Sequence, residues 1–144
     1  MILNTTYLDK KKKKIIRNNV GKSIGMFNVL MGQKRGSSRM IIDEYSNGFD
    51  KFVNKNNNLL YGNIEIREIG IIVRLQIKNY ETVSWLIGYH TLSVFKSKYF
   101  SIHSAGEFVK FRRDSNFLLN KKFISQLFDK KNNIQTHIEQ LENI

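Results

Sequence analysis

Between Tyr61 and Arg112 the chain is written with a period of two, and this alternation constrains the fold more than any other feature. In residues 63–68 (NIEIRE), Ile64 and Ile66 alternate with Glu65 and Arg67, as a half-buried strand requires. Glu68-Ile69-Gly70 turns the chain. Ile71, Val73, Leu75 and Ile77 then face one way and Arg74, Gln76 and Lys78 the other, giving a second strand antiparallel to the first. Asn79-Tyr80-Glu81 is the next turn. Residues 82–87 and 91–96 read as strands separated by Gly88-Tyr89-His90, where glycine permits a kink or bulge. Residues 99–103 and 107–112 follow, joined by Ser104-Ala105-Gly106. Trp85 shares its phase with Val83 and Ile87 and is expected inside, whereas one of the adjacent Tyr99 and Phe100 must face outward.

The period then changes. Asp114, Ser115 and Asn120 are possible N-caps, and Phe123, Ile124, Leu127 and Phe128 recur at helical spacing. Ile134, Ile138 and Leu141 continue the stripe beyond Asn132-Asn133, as a second helical stretch or a continuation, with a core or homodimer contact as its expected use. Upstream of the alternation, residues 40–42 with Tyr45 suit a strand, Ser46-Asn47-Gly48 a turn and residues 54–58 a loop. Residues 24–32 (IGMFNVLMG) read as a short buried strand or a short helix ended by glycine. Residues 1–23 are polar and basic with little periodicity, and are expected to form a loosely ordered arm. The expected organisation is therefore an arm, 1–23, and one α+β domain, 24–144.

Several short strands followed by an amphipathic helix suit a strongly bent antiparallel sheet or partly open barrel plugged by the helix. The stretch IEIREIGIIVRLQI…SWLIGYHTLSVFKSKYFSIHSAGEFVKFR with NKKFISQLF, including Trp85, Ile87, Tyr89 and Leu92 in a W-x-I-x-Y-x-x-L strand, resembles the bacterial pleckstrin-homology-like domains over roughly residues 61–130. The resemblance implies that fold and a non-catalytic module for lipid headgroups, peptides or partner proteins. It implies no lipid site here, because the first hairpin carries only Arg67 and Arg74 where lipid-binding members have a dense basic cluster, and the terminal helix has no tryptophan.

Catalytic and metal motifs are sparse. With no cysteine, thiolate chemistry, disulfides and Cys-ligated zinc are excluded. Gly21-Lys22-Ser23 ends like a phosphate-binding loop, but Ile16 stands where the first glycine belongs. His90, His103 and His137 lack metal-ligand spacing, so no metal site and no cofactor is expected. If the chain is an enzyme, Tyr89, His90, His103 and Glu107 are the residues to inspect first.

Charge supplies the functional readings. The 24 Lys and Arg against 12 Asp and Glu give a net charge of +12, divided as +9 in residues 1–39, zero in 40–109 and +3 in 110–144. AT-rich coding sequence would itself enrich Lys, Asn and Ile. In the membrane reading, Lys10, Lys11, Lys12, Lys13, Lys14, Arg17, Lys34, Arg35 and Arg39 meet anionic headgroups while Ile24, Met26, Phe27, Leu30 and Met31 insert shallowly. In the nucleic-acid reading, the same cations neutralise phosphates without sequence preference. A protein partner, or a solvated tail lost if Met26 is an internal start, are the other readings. Residues 1–25 carry seven basic residues and one acidic, so removing them would leave +6. The expected setting is the cytoplasm, peripheral to a membrane where the arm binds.

Overall fold

The alternation becomes the centre of one antiparallel sheet. The computed structural model describes residues 1–53, 59–77 and 81–143, apart from the side chains of Thr136 and Ile138. Its strands are β1 (Ile2–Asn4), β2 (Met40–Tyr45), β3 (Leu60–Ile66), β4 (Gly70–Ile77), β5 (Glu81–Gly88), β6 (Ser93–Lys96), β7 (Tyr99–Ser104) and β8 (Glu107–Arg112). Its helices are α1 (Lys10–Val20), α2 (Met26–Leu30), α3 (Ser115–Leu119) and α4 (Lys121–Glu142). The strands run in the order β1-β5-β4-β3-β2-β8-β7-β6 with every neighbour antiparallel, and the sheet is not closed into a barrel. The expected loop at 54–58 and the turn at Asn79-Tyr80 lie outside the described residues.

Period-two patterning sets the two faces. Ile64 and Ile66 of β3, Ile71, Val73 and Leu75 of β4, and Val83, Trp85 and Ile87 of β5 are all buried in one core. Phe100, Ile102, Val109 and Phe111 extend that core across β7 and β8, with Phe100 fully buried and Tyr99 turned outward. Phe49 of the 3-10 turn at Asn47–Phe49 packs edge-on against Trp85, with ring centroids 5.4 Å apart. Phe123, Ile124 and Leu127 of α4 close the core on this inner face. The helix continues unbroken through Asn132-Asn133. Ile134 packs against the core and Leu141 stands 56% exposed, so the expected stripe leaves the core before the helix ends.

The arm expectation is overturned. Residues 2–4 add a strand, pairing Ile2 with Trp85 and Asn4 with Val83, and residues 10–20 form a helix on the outer face of the sheet. Ile72 and Leu86 are direct register partners whose side chains leave the inner core, and Ile16 and Val20 of α1 bury them. Burying each such aliphatic side chain contributes about 1.5–3 kcal/mol. That outweighs the few tenths to about 1 kcal/mol that each lysine costs in the positive first turns of a helix. Asp9 caps the helix by accepting the Lys12 amide at 2.8 Å. Gly21 ends it with φ at +79°, donating its N–H to the Arg17 carbonyl, so the Gly21-Lys22-Ser23 motif is a helix terminus and not a phosphate loop. The open choice at 24–32 resolves as the short helix α2, with Ile24 buried in the core ahead of it.

Candidate functional site

α2 turns its apolar residues outward. Met26, Phe27, Leu30 and Met31 are 64%, 73%, 78% and 72% exposed, while Val29 backs onto the main core and anchors the turn. A run of this kind on a soluble surface costs solubility unless something covers it. The chain leaving α2 is clamped to α4: the Lys34 amide donates to Gln126 Oε1 at 2.9 Å and Gln126 Nε2 returns a bond to the Lys34 carbonyl at 2.9 Å. Between them lies an open groove of about 700 Å³ lined by Gln33, Lys121, Lys122, Gln126, Asp129 and Lys130, among others. Each wall is preceded in the chain by an exposed apolar turn, since Leu118 and Leu119 of α3 are 65% and 80% exposed. Burial pushes the Lys130 ammonium below its ordinary value, and the charge of Glu68 opposes that shift.

The cations expected to act together are divided. Lys10, Lys11, Lys13, Lys14 and Arg17 are exposed along α1, and Lys12 is half-buried. Since α1 covers Ile72 and Leu86 while α4 and Val29 pack on the opposite face, this lysine row does not share the face of the sheet that carries α4. Arg35 donates to the Ile24 carbonyl at 3.1 Å, and Arg39 lies over the Tyr61 ring, 4.5 Å from its centroid. Of the expected residues, the structure therefore bonds Lys34 to α4, leaves Met26, Phe27, Leu30 and Met31 exposed on the turn that precedes it, and removes Ile24 to the core. The basic partners that sequence reasoning missed are Lys121, Lys122 and Lys130. Their signal was present, because apolar residues at 123, 124, 127 and 128 leave the lysines that flank them to the edges and far side of a helix.

Of the residues that an enzyme reading would use, Tyr89 and His90 line one groove with Lys131 and Glu139, and His103 and Glu107 are not among its lining residues. The Tyr89 hydroxyl donates to the Arg67 carbonyl at 3.0 Å, and burial raises its pKa far above the usual phenol value. His103 packs between Phe95 and Phe108, with centroids at 5.3 and 5.8 Å, and burial lowers its pKa, aided by the charge of Lys110. Glu107 accepts from the Ser46 hydroxyl, and His90 is exposed. Among the described residues no three His, Asp or Glu side chains gather as a metal-ligand set, and no helix is long and apolar enough to cross a membrane. Comparison with protein-family models, with curated proteins and with solved structures finds no match.

Proposed function

We propose that this chain is a non-catalytic binding or scaffolding module of pleckstrin-homology-like build, cytoplasmic and peripheral, that meets anionic membrane surface through α2. The observation that carries the reading is the exposed apolar turn Met26-Phe27-Leu30-Met31 beside a lysine-lined groove. The build is supported by two antiparallel meanders, β2–β5 and β6–β8, joined through the β2–β8 pair and followed by a helix against the core.

Binding of this kind has two parts. Lysines 34, 121 and 122 are drawn to anionic headgroups, each contributing about 1 kcal/mol near the surface at moderate salt. The apolar turn then enters the boundary between headgroups and acyl chains, where its exposed area is removed from water. Neither part alone holds a protein firmly. Lys10, Lys11, Lys12, Lys13 and Lys14, on the other face of the sheet, add long-range attraction rather than contact with the same patch.

The test is co-sedimentation of the full chain with vesicles of neutral lipid, with and without about one quarter phosphatidylserine. Phe27→Ser with Leu30→Ser is expected to weaken partitioning at least about tenfold, and Lys121→Gln with Lys122→Gln to do so by a similar factor, the latter on anionic vesicles only. Equal sedimentation of parent and Phe27→Ser/Leu30→Ser protein, with unchanged circular dichroism, would refute the α2 assignment.

A further inference from the structure

The outer face of β6, β7 and β8 carries a row of rings that the core does not use. Register places Phe95 of β6 opposite Ser101 and Ser93 opposite His103, while His103 of β7 lies opposite Phe108 of β8, so Phe95, His103 and Phe108 share one face. The rings run across three strands, Phe95 to His103 at 5.3 Å and His103 to Phe108 at 5.8 Å. Phe95 is 56% exposed. Tyr99 joins the row on the same face of β7, and α1, which covers the outer face of β4 and β5, does not pack on these strands.

β6–β8 themselves carry an excess of cations. Residues 93–113 contain five basic residues and one acidic, Glu107, whose carboxylate is engaged by the Ser46 hydroxyl. Lys110 lies over both the Phe108 and Tyr99 rings, at 5.2 and 6.0 Å from their centroids, and Lys98 over Tyr99 at 5.6 Å. Two of these cations are paired by carboxylates of β2: Lys110 with Glu44 at 3.2 Å, and Arg112 with Asp43 through three hydrogen bonds. Among the described residues Lys96 and Lys98 have no ion pair.

From this juxtaposition we infer that the outer face of β6–β8 is a docking platform for single-stranded nucleic acid, with bases stacked on Phe95 and its neighbouring rings and phosphates met by Lys96, Lys98 and Lys110. Rings on an open sheet, with cations interleaved, are complementary to a ligand that presents flat apolar faces and negative charge at short repeat. An acidic peptide would use the cations and leave the rings idle. A duplex hides its base faces and would engage only the lysines. The surface is separate from α2, and this inference does not depend on membrane binding.

Fluorescence anisotropy of a labelled oligothymidylate and oligouridylate of about 12 nucleotides, titrated with the full chain, tests it. A blunt duplex of the same length is the control. Single strands are expected to bind at least several-fold tighter than the duplex. Phe95→Ala is expected to weaken single-strand binding about tenfold with little change in salt dependence, and Phe95→Tyr to restore it. Lys98→Gln is expected to lower the slope of log affinity against log salt by about 0.7. The inference is overturned if duplex and single strand bind alike or if Phe95→Ala binds as the parent does, which would assign affinity to the α1 lysines. It is equally overturned if Phe95→Ala only dissolves a dimer seen by sedimentation and no oligonucleotide binds, making the face a self-association surface.

Discussion

Asn120, at the junction of α3 and α4, ties the terminal helices to the entry of β2. It is buried. Its Oδ1 accepts from the Ser38 amide at 2.9 Å and the Ser38 hydroxyl at 3.1 Å, and its Nδ2 donates to the Asn116 carbonyl at 2.9 Å. Asn120→Ala removes the bonds that the buried side chain makes to Ser38 and Asn116 and is expected to cost about 2 kcal/mol, read as a fall in urea midpoint. Tyr89→Phe removes one donor from the Arg67 carbonyl and is expected to cost about 1 kcal/mol. His103 titrates differently in the two states. Its native pKa lies below the ordinary 6.5, so the unfolded chain takes up the proton first. The histidine is neutral in both states well above that value, and stability falls as pH drops through 6.5 toward the native pKa. His103→Gln should flatten that limb of a stability–pH curve, and an unchanged curve would show that other groups set it.

At the scale of elements, α1 is the one the sequence concealed. Five lysines open it against the helix dipole, and the apolar spacing is confined to Ile15, Ile16 and Val20. The complementary signal stood 56 and 70 residues beyond Ile16, where Ile72 and Leu86 place apolar side chains on the face otherwise given to Arg74 and Ser84. Ile16→Ala is expected to destabilise the protein by about 2–4 kcal/mol, seen as a lowered thermal midpoint. Deleting residues 1–25 uncovers Ile72 and Leu86 and bares the edge of β5, so the shortened chain is expected to bind a hydrophobic dye and to melt without a sharp transition. A cooperative melt at the parent temperature would show that α1 adds nothing. β4 and β5, by contrast, were legible, because a buried face repeats at period two whatever covers the other side.

At the scale of the molecule, a net charge of +12 sets the chain against itself. Raising salt from about 20 to about 200 mM is expected to raise the thermal midpoint by screening that repulsion, and a lowered midpoint would point to dominant ion pairs. The division of charge by stretches of sequence was misleading for a physical reason. A boundary at 109/110 cuts between Val109 and Lys110 of β8, and so splits the basic outer face of β6–β8 into a neutral part and a weakly basic one. By itself the sequence determined the antiparallel meander, its inner face with Trp85 and Phe123, and the terminal helix, because each depends on a periodicity within a short stretch. Only the tertiary structure decided that residues 1–20 belong to the fold, that the chain leaving α2 is clamped to α4 at Lys34 and Gln126, and that Phe95, His103 and Phe108 form one row. Those relations join residues tens of positions apart, and no local pattern specifies which solvent-facing side chains become neighbours once the sheet is assembled.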